Sequence, residues 1–156
     1  MKLYIKRIIK FLIPLKYREE KLILWIRAAN FFYNKNMKYC KLFCENIIYY
    51  RFGCEISGEA KIGEGLCIPH PIGIVIGTGA KIGKNTVIYQ NVTIGRKCKE
   101  IGEYPEIGNN VVIYTNSVIV GNVKIADDII IGANSVITKD ITEKGTYIGC
   151  PAYKIN

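Results

Sequence analysis

The chain has 156 residues, of which 49% are hydrophobic, with six cysteines and one histidine. This length makes one domain with a real core and room for a small appendage, and the apolar content excludes a disordered chain. The formal net charge of +9 suggests a nucleic-acid partner, but residues 1–51 hold 12 Lys/Arg against 3 acids while residues 52–156 hold 10 against 10, which excludes a basic groove along the molecule and nucleic acid with it.

In chain order, Met1 to Lys16 mixes Ile, Leu and Phe with Lys2, Lys6, Arg7, Lys10 and Lys16. These cations break any signal-peptide apolar run, and no small-residue cleavage site follows. No stretch has the length needed to span a bilayer. A cytoplasmic protein is expected. Lys2, Lys6, Arg7 and Lys10 with Ile5, Ile8, Ile9 and Leu12 also have the pattern of a short interfacial helix. That pattern suits either peripheral contact with the inner face of the membrane or a basic helix packed on an assembly. Pro14 ends or kinks any helix begun near Leu3.

Leu22, Ile23, Trp25, Ile26, Ala29, Phe32 and Tyr33 recur near the helical period. Asn34-Lys35-Asn36 is a turn signal. A second helix is expected from Met37 to about Arg51, with Gly53 as its stop.

From Ile56 the period becomes six. Isoleucine stands at 56, 62 and 68, at 76, 82, 88 and 94, and at 107, 113, 119, 125, 131 and 137. Gly follows it at 63, 77, 83, 95, 108 and 132. Four positions after the Ile come Ala60, Ala80, Thr86, Val92, Val111, Ser117, Val123 and Ser135, which are small or β-branched. Such a repeat predicts a solenoid in which one hexapeptide makes a short strand and a corner, and three close a triangular coil. The Ile points inward onto the Ile of the next coil. The expected organisation is a helical region at 1–53, a β-helix at 54–145 with an extruded loop at 96–106, and a tail at 146–156.

The ladder breaks twice. Two residues are inserted around Pro69-His70-Pro71, and seven within Arg96 to Glu106. Departures from a local rule tend to mark functional sites. A lone histidine can simply fill a corner between coils. At an insertion, fixed by flanking prolines, His70 instead suits a general base that takes a proton from a hydroxyl near neutral pH. The loop from Arg96 to Glu106 reads equally as a solvated excursion or as a flap bringing Arg, Lys and Tyr to a polar ligand.

Cys40, Cys44, Cys54, Cys67, Cys98 and Cys150 contain no CxxC pair. With a single histidine, no metal site is expected. Free thiols in a reducing compartment are the expectation.

The run from Phe52 to Gly95, with Pro105-Glu106-Ile107-Gly108, Ile131 to Val136 and the ending Gly149-Cys150-Pro151-Ala152, resembles the serine acetyltransferase family. It is similar above all to the polysaccharide O-acetyltransferases related to it. The resemblance covers roughly residues 20–156. It implies a mainly β fold, a left-handed parallel β-helix with a short N-terminal α-helical region, against the usual right-handed crossover rule. It implies a homotrimer, and acetyl-CoA as co-substrate lying between neighbouring β-helices.

By the same resemblance, His70 is the catalytic base and Glu55, fifteen residues earlier, occupies the place of its aspartate partner. A carboxylate there would fix the imidazole tautomer and stabilise the imidazolium. Gly95, Thr115 and Ala133 would meet the pantetheine arm, and Lys139 the nucleotide phosphates. Tyr104 and Arg96 would face the acceptor. Pro69 and Tyr104 stand where the family carries an aspartate and a second histidine that bind the amino acid. The expected acceptor is therefore a hydroxyl of a sugar or polysaccharide precursor. Serine O-acetylation and a non-catalytic β-helix assembly module are the alternatives. A γ-type carbonic anhydrase would need three zinc histidines and is excluded.

Overall fold

The computed structural model describes residues 18–97 and 103–156. The basic segment 1–17, with its expected interfacial helix and the kink at Pro14, lies outside the described residues, as does Cys98.

Among the described residues two helices come first, α1 (Arg18–Asn34) and α2 (Lys38–Ile47), followed by a π-helical turn at Ile48–Phe52. The expected turn at 34–36 falls between the helices. The expected stop is Gly53, whose φ of 66° is the left-handed conformation that glycine adopts without a Cβ penalty.

Fourteen short strands follow among the described residues. In chain order they are β1 (Glu55–Ile56), β2 (Lys61–Ile62), β3 (Val75–Ile76), β4 (Lys81–Ile82), β5 (Val87–Ile88), β6 (Thr93–Gly95) and β7 (Glu106–Ile107). Then come β8 (Val112–Ile113), β9 (Val118–Val120), β10 (Lys124–Ile125), β11 (Ile129–Ile131), β12 (Val136–Ile137), β13 (Gly145–Gly149) and β14 (Ala152–Lys154). They form three sheets, ordered β1-β3-β6-β9-β12, β2-β4-β7-β10 and β5-β8-β11-β13-β14. Every pairing is parallel except β13 with β14. The chain visits the first, second and third faces in rotation, so it must coil. Residues expected as a tail continue the third face as β13 and β14.

The register follows the isoleucines. Ile56 lies against Ile76, Ile76 against Ile94, Ile94 against Ile119 and Ile119 against Ile137. Twelve of the thirteen repeat isoleucines are buried, and Ile62 is half-buried. At about 1.5–3 kcal/mol per buried side chain, this column is the main stabilising feature. The small residues four positions on are buried too, from Ala60 to Ser135. At the corners between the third and first faces, Asn91, Asn116 and Asn134 adopt φ of 58–59°. Their side chains form a ladder, Asn91 donating to Asn116 (3.0 Å) and Asn116 to Asn134 (3.1 Å). Asparagine tolerates this left-handed conformation better than most residues.

A solenoid leaves open strand edges at its first coil. The helices cover them. The Glu19 carboxylate accepts the N–H of Ile68 (2.8 Å), and Glu45 accepts that of Gly58 (2.9 Å). The Asn30 amide donates to the carbonyls of Gly58 and Ala60, and Arg27 donates to those of Ile62 and Gly63. Among the described residues, no helix is long and apolar enough to cross a membrane.

Candidate functional site

The two-residue insertion puts His70 on the corner between the third and first faces. Ile68 is buried in the core and held by Glu19; Pro71 is buried and His70 exposed. The His70 carbonyl accepts the N–H of Ile72 (2.9 Å), closing a tight turn. At the next residue the chain rejoins the first coil, where the Gly73 N–H donates to the Gly53 carbonyl (2.8 Å).

Among the described residues, the imidazole has Tyr89 as its ring neighbour. Its centroid is 6.2 Å from that of Tyr89, with planes inclined by 52°. Tyr89 stacks on Tyr114, 5.0 Å away and 18° from parallel. An aromatic column therefore runs down this corner from the histidine. Sequence reasoning missed both tyrosines. The signal was present, because Tyr89 and Tyr114 directly follow Ile88 and Ile113, where six of the other repeats have glycine.

Glu55 is exposed on the first face, in β1, paired with Val75. Its backbone N–H donates to Ile74 (2.8 Å), four residues after His70. The backbone brings the two groups to the same coil edge, but no hydrogen bond or ion pair joins the Glu55 carboxylate to the imidazole. Glu55 instead borders a surface cavity of about 500 Å³ with Tyr49, Ser57, Gly77 and Thr78.

The remaining candidates divide between two corners. Thr115 and Ala133 lie on the His70 corner. The Thr115 hydroxyl donates to the Gln90 carbonyl (3.1 Å), and Ala133 is exposed. Gly95, Arg96 and Lys139 lie at the other end of the first face. A Cβ at Gly95 would meet nothing within 4 Å, so the space there is open to a ligand. Arg96 is exposed, and Lys139 borders a cavity of about 210 Å³ with Tyr147 and Pro151. Ala133 and Lys139 are six residues apart, about 20 Å of extended chain. One protomer therefore presents its candidate groups as two separate rows.

Tyr104 turns back onto the body of the protein. A Cβ at Gly79 would lie 2.3 Å from its Cδ2, and one at Gly77 2.5 Å from its Cε1. Its ring thus lies on the bare backbone of that corner. The half-buried ring is thus positioned by packing on these two glycines.

The five described cysteines are unpaired thiols. Burial pushes the Cys54, Cys44 and Cys67 thiols up, away from the reactive thiolate. Among the described residues, no three His, Cys, Asp or Glu side chains gather as a metal site.

Residues 104–139 match the family model described as bacterial transferase hexapeptide (six repeats). The serine acetyltransferase of Staphylococcus epidermidis is 46% identical over 102 residues, 65% of this chain and 48% of that protein. The crystal structure of the Neisseria gonorrhoeae serine acetyltransferase is similar with a TM-score of 0.83 and 34% identity, over 86% of this chain and 53% of that one. A serine acetyltransferase in complex with CoA is similar with a TM-score of 0.78 and 33% identity, over 86% and 55%. The chain spans about half the length of these proteins.

These likenesses overturn the expected sugar or polysaccharide acceptor, and with it a place in polysaccharide biosynthesis, because the similar proteins are named serine acetyltransferases. The expectation rested on Pro69 and Tyr104 as losses of amino-acid partners. Missing side chains at two positions do not identify a different acceptor, and Tyr104 is accounted for by its packing on Gly77 and Gly79.

Proposed function

We propose that this chain is an acetyl-CoA-dependent O-acetyltransferase that acylates the hydroxyl of serine, with His70 as general base. The observation that carries this reading is the likeness of 86% of the chain to serine acetyltransferase structures at 33–34% identity. The single histidine, exposed on a corner that the repeat widens by two residues, supports it.

In the proposed reaction, His70 takes the proton of the serine hydroxyl as its oxygen attacks the thioester carbon. A backbone N–H stabilises the tetrahedral oxyanion. The C–S bond then breaks, and the imidazolium returns the proton to the departing thiolate. O-Acetylserine and CoA leave, and no cysteine is acylated. Glu55 would orient the imidazole as a positioning residue, by a side-chain movement toward the corner. Gly95, Thr115, Ala133 and Lys139 would border the CoA.

The proposed assembly is a trimer of left-handed β-helices, with the 1–53, 54–145 and 146–156 divisions as its parts. The outward residues of the first face below Glu55 are Val75, Thr93, Val118 and Val136, and those of the third are Cys67, Val87, Val112 and Ile130. The second face carries Lys61, Lys81, Glu106 and Lys124. Two apolar faces and one charged face suit a closed ring in which each protomer covers two neighbours. His70 stands on the corner those apolar faces share, so assembly would enclose it.

The test is incubation of the full chain with acetyl-CoA and L-serine, reading free CoA thiol and O-acetylserine together. Formation of both supports the reading. Release of thiol without O-acetylserine, or no turnover, contradicts it.

A further inference from the structure

The outer surface of the helical hairpin is apolar where a solvated helix would be polar. Leu22, Ile26 and Ala29 of α1 and Cys44 of α2 are buried. On the opposite sides stand Leu24, Phe31, Tyr39, Leu42, Phe43 and Tyr50, with Tyr39 at 85% and Tyr50 at 82% exposure. The Trp25 and Phe43 rings meet edge-to-face with centroids 6.2 Å apart, which joins the two helices across this side. Exposed apolar side chains on both helices, bridged by this ring pair, suit an interaction site.

Charge identifies the occupant. Residues 18–51 hold seven cations against three acids, Glu19, Glu20 and Glu45, and of the cations Arg18, Arg27 and Lys41 are turned inward, onto the Phe52, Ile62 and Gly63 carbonyls and the Glu59 carboxylate. Two of these acids are turned inward, Glu19 onto the N–H of Ile68 and Glu45 onto the N–H of Gly58. Glu20 alone of the three is exposed, while Lys35 and Lys38 are exposed beside the aromatic face. Face-to-face contact with a second copy would oppose like charges. Covering by residues 1–17 would add five more cations and no acid. An anionic partner remains. Tyrosine and phenylalanine beside lysine form the composition that settles at the boundary of headgroups and acyl chains.

We infer that the outer face of α1, α2 and the π-helical turn after them docks on an anionic lipid surface, with Tyr39, Phe43 and Tyr50 entering the headgroup region and Lys35 and Lys38 meeting its phosphates. This holds whatever the acceptor, and it extends the basic pattern of residues 1–17 to a face built by the fold.

The test is co-sedimentation of the full chain with vesicles of neutral phosphatidylcholine, and with vesicles holding about one third phosphatidylglycerol, at about 0.1 M and 0.5 M salt. The expected result is sedimentation with the anionic vesicles alone, weakened by salt. Tyr39→Ser/Tyr50→Ser, which alters two exposed side chains, should lower vesicle affinity about tenfold or more with an unchanged circular dichroism spectrum. Lys35→Glu/Lys38→Glu should lower it as well. The inference is overturned if the chain stays in solution with anionic vesicles at low salt, or if the tyrosine variant binds as the parent does. It is also overturned if soluble polyglutamate competes fully with the vesicles, since the face would then read acidic polymer rather than lipid.

Discussion

The His70 imidazole lies against the Tyr89 ring at a centroid distance of 6.2 Å, and Tyr89 is itself stacked on Tyr114. Among the described residues no side-chain hydrogen bond holds the imidazole, and this aromatic contact is its support. Tyr89→Ala should lower turnover about 10–100-fold, the scale on which a small misplacement of a reacting group acts. The KM for acetyl-CoA should change little, and Tyr89→Phe should restore activity. Because the chain has one histidine, its imidazole resonances report the ring alone; they should lose the Tyr89 ring-current shift in the Ala variant and keep it in the Phe variant.

Glu19 acts on the same corner from the other side. Its carboxylate accepts the Ile68 N–H, two residues before His70. Glu19→Ala leaves that donor without its acceptor, which should cost about 1–3 kcal/mol in denaturant unfolding. Turnover should fall with it, while Glu20→Ala, an exposed neighbour, should change neither.

Tyr104 and the glycines beneath it form a second coupled pair. Gly79→Ala would place a Cβ 2.3 Å from the Tyr104 ring. It should destabilise the fold by about 1–3 kcal/mol, the usual cost of overpacking. Adding Tyr104→Ala should recover most of that loss, so a double-mutant cycle by thermal unfolding would give a coupling of similar size. Additive effects would mean that the ring does not rest there.

Much of this was legible in the sequence. The isoleucine period set the coils because one inward residue per strand must meet its equivalent in the next coil, and the β-sheet register reproduces both breaks. The helical hairpin and its stop at Gly53 were legible from apolar spacing and turn residues. The acceptor was not, because Pro69 and Tyr104 record what is missing from one pattern, and the packing of Tyr104 on glycine depends on a fold-back with no periodic signal. The helical cover on the first coil was also hidden, since Glu19 and Ile68 meet across 49 residues.

Acid stability should depend on two exposed carboxylates. The Asn109 backbone N–H and side-chain amide hold the Asp127 carboxyl below its usual range, and the hydrogen bond from Lys81 does the same for Glu106. A carboxyl depressed by folding binds its proton at lower pH in the folded state than in the unfolded one. Its stabilisation is therefore full above the ordinary carboxylate range and is lost as pH falls through the depressed folded value. Melting temperature should fall on acidification across that window, and Asp127→Asn should flatten the fall. An unchanged acid profile in Asp127→Asn would exclude this contribution.

The central claim is that His70 removes the proton from the acceptor hydroxyl. The most direct measurement is steady-state formation of O-acetylserine from acetyl-CoA and L-serine by the parent chain and by His70→Ala, with folding and assembly checked by circular dichroism and light scattering. The expected result is a folded His70→Ala protein that still binds acetyl-CoA and turns over about 10²–10⁴-fold more slowly. Near-parental turnover by the folded variant would contradict it, because the chain has no second histidine to take the proton.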